Sequence, residues 1–250
     1  MNVITSHMEE YLDTVKAIQR KLCKTNKPVS HPIEFANFLQ ESLMIDDWPS
    51  FDKKLGKSNR VRSSHNYYGW MSYTEKPLGK CKGAIYRSEE YMKIPLQERS
   101  GESLKNLKKR GKGYGSNHIH IEHSIPVSLI LRYFFNYKDI YLDNPNQLIN
   151  KSLHEAFFSI SVCTALTRQE EKEVIKYKDQ HPELDKKELK VGSLSEIHPF
   201  IRYDFSKGLK IYEMITGSEI NPETFTLKDH INLINKVDIY NWDYICNRNP

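Results

Sequence analysis

The sequence predicts an α+β protein. Three observations carry the prediction: apolar residues at helical spacing near the start, a histidine- and isoleucine-rich alternation at 118–121, and a β-branched, aromatic run at 157–166 that leads into a helix-capping pattern. No internal repeat and no low-complexity tract interrupts this mixture.

Met8, Tyr11, Leu12, Val15, Ile18 and Leu22 recur every three or four residues and predict a core-facing helix over 8–22. A second helix follows, with Ser30 as N-cap, Pro32 in the first turn and Ile33, Phe35, Phe38, Leu39 and Leu43 as its apolar face. From Asp46 to about Lys80 the period is lost, and Trp48-Pro49, Gly56, Gly69 and Pro77 predict a long loop carrying Lys53, Lys54, Lys57, Arg60 and Arg62. Tyr67, Tyr68, Trp70 and Tyr73 are interleaved with it, a mixture that suits phosphate contact with base stacking, or equally aromatics tucked onto the core.

Residues 101–116 place Lys105, Lys108, Lys109, Arg110 and Lys112 within eight positions, just before three closely spaced glycines. Such a segment is either a linker or an arm that grips a polyanion by displacing its counterions. It is not a nucleotide-phosphate loop, because no apolar strand precedes the glycines and no GKS or GKT follows. Downstream, Ile119–Ile125 predicts a strand, Val127–Phe135 an apolar helix or buried turn, and Asn144-Pro145 the start of a short helix. Phe157–Leu166 predicts a second strand. Thr167 and Glu170 then form a capping-box pattern that opens a helix through about Tyr177. The tail from Gly192 is mixed, with a helix near 228–236 and an aromatic cluster at Tyr240, Trp242 and Tyr244 suited to docking on the core. Three stretches result: 1–100, helical with basic loops; 101–180, a strand–crossover–strand–helix core with a basic entry; and 181–250, a mixed region packing on that core.

The 250 residues include 38% apolar and 28% charged ones, enough for one large domain or two small ones. No apolar run approaches the roughly 20 residues needed to span a bilayer. The acidic start lacks the apolar segment of a signal peptide, so a cytoplasmic protein is expected. Four dispersed cysteines without a CxxC pair argue against a zinc ribbon or a disulfide framework. A net charge of +5 is compatible with a nucleic-acid partner without requiring one.

The chemistry concentrates in residues 117–126, where His118, His120, Glu122 and His123 fall within six positions. On a strand His118, His120 and Glu122 share one face and His123 takes the other. Imidazole accepts a proton near neutral pH, and imidazole with carboxylate is a common ligand set for divalent cations.

Glu122-His123-Ser124-Ile125-Pro126, with the strand at 157–166 and the helix opening at Thr167, resembles the ββα-metal core of HNH (His-Me finger) nucleases over residues 117–175. The resemblance implies Glu122 as a metal ligand and His123 as general base. For the middle motif position, usually an Asn that holds the catalytic histidine through a backbone contact, the candidates are Asn150 and His154. For the last position, usually His or Asn on the helix, the candidates are Glu171 and Glu170. Glu171 is preferred because Glu170 has a capping role, although Glu171 in a solvated EEKE face is an equal alternative. A carboxylate there departs from the family pattern but suits a hard cation: Mg²⁺, with Mn²⁺ or Ni²⁺ as substitutes.

On this resemblance the chain is expected to be a metal-dependent endonuclease, with a ββα-metal core embedded between a helical N-terminal region and a mixed C-terminal region. His123 would take a proton from water that attacks a phosphodiester of DNA. Lys105, Lys108, Lys109, Arg110, Lys112, Arg60 and Arg62 would hold flanking phosphates, and Arg168 either adds a contact near the site or is a surface residue. The large non-core portion suits a restriction or phage-defence enzyme, and a palindromic target would call for a homodimer. Two alternatives stand beside this: a non-catalytic nucleic-acid-binding protein with a degenerate core, and a metallo-β-lactamase-fold hydrolase, which His118-x-His120-x-Glu122-His123 resembles with Glu in place of Asp. The second lacks the buried strand before the motif and the glycine-rich histidine motif after it.

Overall fold

The computed structural model describes residues 2–24, 39–55, 81–99, 104–111, 115, 117–139, 160, 162–186 and 195–236. Its centre is a four-stranded mixed sheet of β1 (Tyr86–Ser88), β2 (Ile119–His123), β3 (Cys163–Thr167) and β4 (Ile211–Glu213), in the order β2-β3-β1-β4. β2 runs antiparallel to β3 from Ile119 opposite Thr167 to His123 opposite Cys163, β1 is parallel to β3, and β4 is antiparallel to β1. β3 is interior in the order and buried at every position, which explains its unbroken apolar and β-branched sequence. The protein is thus α+β, and its sheet draws a strand from each of the three stretches of sequence.

The helices are α1 (Val3–Lys24), α2 (Glu89–Lys93), α3 (Leu104–Lys109), α4 (Val127–Asn136), α5 (Arg168–Gln180) and α6 (Leu227–Ile234), with further helical residues at 39–43 and 48–55. β2, β3 and α5 form a ββα unit, in which α5 packs on both strands. α5 begins where the sequence predicts: Thr167 Oγ1 accepts from Glu170 N–H at 3.2 Å, and Glu170 Oε2 accepts from Thr167 N–H at 2.8 Å.

Several elements differ from expectation. β2 ends at His123 and β3 starts at Cys163, shorter than the runs 119–125 and 157–166, because pairing stops at the His123–Cys163 rung. Residues 48–55, expected to be loop, are helical: Asp47 caps them by accepting from Ser50 N–H at 2.8 Å, and Phe51 and Leu55 are buried one turn apart. Pro49 sits in the first turn, where a missing N–H removes nothing. Leu104–Lys109, expected to be arm or linker, is a short helix. The segment His198–Tyr203 is a series of turns that buries Phe200 and Tyr203. α1 faces the core with His7, Tyr11 and Thr14, not Leu12, which is exposed. The reason is a polar cluster: Arg87, fully buried on β1, donates to Glu10 at 2.8 Å and Arg99 donates to Glu10 at 3.1 Å, while His7 lies between the two guanidiniums. The helix start at Ser30, the helix start at Asn144-Pro145 and the aromatic cluster at 240–244 lie outside the described residues.

Among the described residues, no helix is long and apolar enough to cross a membrane.

Candidate metal centre

Strand alternation sends His120 and Glu122 to the same side of β2, and the first turn of α5 brings Glu171 against them. His120 Nε2 lies 3.2 Å from Glu171 Oε1 and 3.6 Å from Glu122 Oε2. One ligand atom from each of the three residues falls within 4.8 Å of the others, and among the described residues this is the one such group of histidine, cysteine and carboxylate side chains. Glu171 is only 6% exposed, so it belongs to this cluster and not to a solvated helix face. Glu170 is held apart by its cap and by a 2.6 Å hydrogen bond from Ser88 Oγ.

Two arginines flank the cluster. Arg168, at the first position of α5, pairs with Glu171 and donates to His120 Nδ1 at 2.8 Å. A guanidinium can only donate, so Nδ1 accepts, and a neutral His120 carries its proton on Nε2, toward the two carboxylates. Arg202 approaches from the turn after Phe200, with Nη1 3.8 Å from Glu122 Oε1 and donating to the backbone oxygen of His123 at 3.2 Å. Burial works against ionisation of Glu122, but the hydrogen bond and charge of His120, with Arg202 and His123, outweigh it and hold the carboxyl below its ordinary range. The neighbouring Tyr203 hydroxyl meets Ser124 Oγ at 3.0 Å, and Ser124 meets Thr164 Oγ1 at 2.9 Å. Burial, aided by the charge of Glu122, pushes the Tyr203 phenol up, so it is a neutral partner there.

The donor set fits a divalent cation. Two carboxylates and one imidazole are the oxygen-rich, mixed ligands that Mn²⁺ and Ni²⁺ accept and that Mg²⁺ takes with water completing its shell.

Of the residues singled out in the sequence, Glu122 and Glu171 are brought together, and His123 follows Glu122 at the last position of β2, near enough for its charge to act on the Glu122 carboxyl. His118 is buried and is not part of the three-residue group. Arg168 is pinned inside the cluster instead of lying on the surface. Lys108, Lys109 and Arg110 are exposed at the end of α3. Asn150, His154, Arg60, Arg62 and Lys112 lie outside the described residues, as does the side chain of Lys105. Sequence reasoning named no ligand role for His120 alone and gave Arg202 no place at the site. The shared face of His120 and Glu122 was the available signal for the first, whereas the contact of Arg202 with β2 is long-range and leaves no local trace.

No protein-family model matches the chain, and neither curated proteins nor solved structures gave a match.

Proposed function

We propose that the protein is a divalent-cation-dependent endonuclease acting on DNA, built on a ββα-metal core of the HNH (His-Me finger) kind. The observation that carries the reading is the convergence of His120, Glu122 and Glu171 on a ββα unit, with His123 directly following Glu122. Glu122, Glu171 and His120 would hold the cation, His120 through Nε2 with its proton shifted to Nδ1 and the Arg168 contact there released; when bound, the cation supplies positive charge at the phosphodiester and its leaving oxygen.

The remaining work falls to the chain's own side chains. His123 takes the proton of the attacking water, a role for which imidazole is suited near neutral pH. Arg168, already within the cluster, supplies a guanidinium matched to a phosphate oxygen pair. Lys108, Lys109 and Arg110 supply exposed charge for flanking phosphates at the end of α3. A cytoplasmic setting and a two-fold dimer on palindromic DNA complete the reading.

A second reading is favoured by one contact. Arg168 bonds two members of the cluster, so a protein cation can satisfy Glu171 and His120 by itself, as in a nucleic-acid-binding protein with a degenerate core.

Cleavage of plasmid and phage genomic DNA with Mg²⁺, Mn²⁺ or EDTA separates the two. Metal-dependent cutting that is lost in His123→Ala with Mn²⁺ binding retained, and Mn²⁺ binding lost in His120→Ala, are the results expected of the nuclease. DNA binding without cutting under any metal would support the second reading instead.

A further inference from the structure

We propose that Arg202 is a positioning residue that locks the proton acceptor His123 to the cation-binding carboxylate Glu122; this rests on the nuclease reading above. The argument begins with the hydrogen-bond register of β2. Arg168 N–H donates to His118 O at 2.9 Å, and Ser124 N–H donates to Val162 O at 3.0 Å. In an antiparallel pair such bonds recur every second residue, so the even-numbered residues of β2 point their backbone groups at β3 and His123 points its own away from it. β2 is the end strand of the sheet, and no further strand lies on that side among the described residues.

The carbonyl of His123 therefore points away from β3, and on that side it is met by Arg202 at 3.2 Å. The same nitrogen stands 3.8 Å from the Glu122 carboxylate, and the arginine side chain is only 9% exposed. Enclosing a guanidinium carries a large desolvation penalty, which a neutral donor would avoid if closing off one carbonyl were all that was needed. One rigid side chain instead touches two consecutive residues with different assigned roles. The next residue, Tyr203, grips Ser124, so a single turn anchors two successive positions at the end of β2. Movement of that turn would shift His123 relative to Glu122 by main-chain displacement, and misplacement by about 1 Å is enough to reduce a reaction about a hundredfold.

The test compares wild type with Arg202→Met, Arg202→Lys and Arg202→Ala, measuring melting temperature, Mn²⁺ binding and steady-state cleavage. A positioning role predicts that folded Arg202→Met binds Mn²⁺ at least as tightly as wild type, because a positive charge beside Glu122 has gone. It also predicts KM within about twofold of wild type and kcat lower by about tenfold to a hundredfold. Added guanidinium ion should restore part of the rate to Arg202→Ala, and tetramethylammonium at equal ionic strength should not. Should the methionine variant not fold, Arg202→Lys keeps the charge without the planar fork, and its kcat should still fall. A wild type that cuts while the folded variants match its kcat would overturn the positioning role, as would a rate loss equal to the unfolded fraction. A wild type that never cuts overturns the nuclease reading, and the positioning role with it.

Discussion

Glu171 Oε1 lies 3.2 Å from His120 Nε2, and this contact fastens α5 to β2 at the point where three potential ligands meet. Its neighbour Arg168 holds the same carboxylate and the other ring nitrogen, so a bound cation and Arg168 compete for the same charges. Glu122→Gln and Glu171→Gln should each weaken Mn²⁺ binding by about tenfold to a hundredfold. Arg168→Ala should act in the opposite direction, tightening Mn²⁺ roughly fivefold, because removing a like charge near the cation is worth about 1 kcal/mol in a partly solvated site. Titration calorimetry of the three variants checks this, and weaker binding by Arg168→Ala would show that the arginine supports the cluster instead of competing within it.

Thr167 determines whether α5 begins in the right place to present Glu171. Its side chain and Glu170 satisfy each other's backbone N–H groups, and Glu170 is further held by Ser88 from the adjacent strand β1. Thr167→Ala should cost about 1 kcal/mol. In a chain of this size that lowers the melting temperature by about 2–4 °C. Thr167→Ser keeps the oxygen and should restore most of the loss, a comparison that thermal melts monitored by circular dichroism can make.

The capping box at Thr167 was legible because it is local: two residues three apart, followed by a helix, with chemistry that depends on nothing else. The shared face of His120 and Glu122 was legible for the same reason, since strand alternation alone puts them together. The helix at 48–55 was hidden because a Trp-Pro pair reads as a break, although Pro49 in a first turn is compatible with the Asp47 cap. β1 and β4 were not foreseen. Each has three residues, too few to show a period, and their pairing is decided by neighbours far along the chain. The core-facing side of α1 was read from apolar residues alone, and so it missed His7, which is buried by its contacts with Arg87 and Arg99.

Glu10 is the carboxylate that makes that cluster tolerable. Arg87 is fully buried and Arg99 nearly so, and both guanidiniums donate to it. Burial favours the neutral acid, but Arg87 and Arg99 hold Glu10 below its ordinary range. Glu10→Ala leaves two enclosed positive charges without their counter-ion and should destabilise by about 3–5 kcal/mol. Lys93→Ala, which breaks exposed pairs with Glu89 and Glu90, should change stability far less, because solvent screens those pairs. Urea denaturation of both variants tests the contrast, and equal losses would contradict it.

His230 sets a pH dependence of stability with a definite sign. It is fully buried on α6, with Nδ1 2.7 Å from the Tyr86 hydroxyl, and burial lowers its pKa from 6.5 to about 3. In the unfolded chain the ring is protonated below about pH 6.5, while in the folded protein it stays neutral until about pH 3. Between those values the unfolded state binds the extra proton, so stability is complete above the unfolded pKa and falls as the pH drops toward the folded one. At pH 5 the loss from this one residue should be about 2 kcal/mol. His7, lowered to about 3 by burial and then by Arg87 and Arg99, adds to the loss in the same direction. Replacing His230 by Asn keeps an acceptor for Tyr86 and removes the titration, so the difference in unfolding free energy between pH 7 and pH 5 should shrink by that amount. An undiminished difference in the His230→Asn variant would assign the acid sensitivity to other groups.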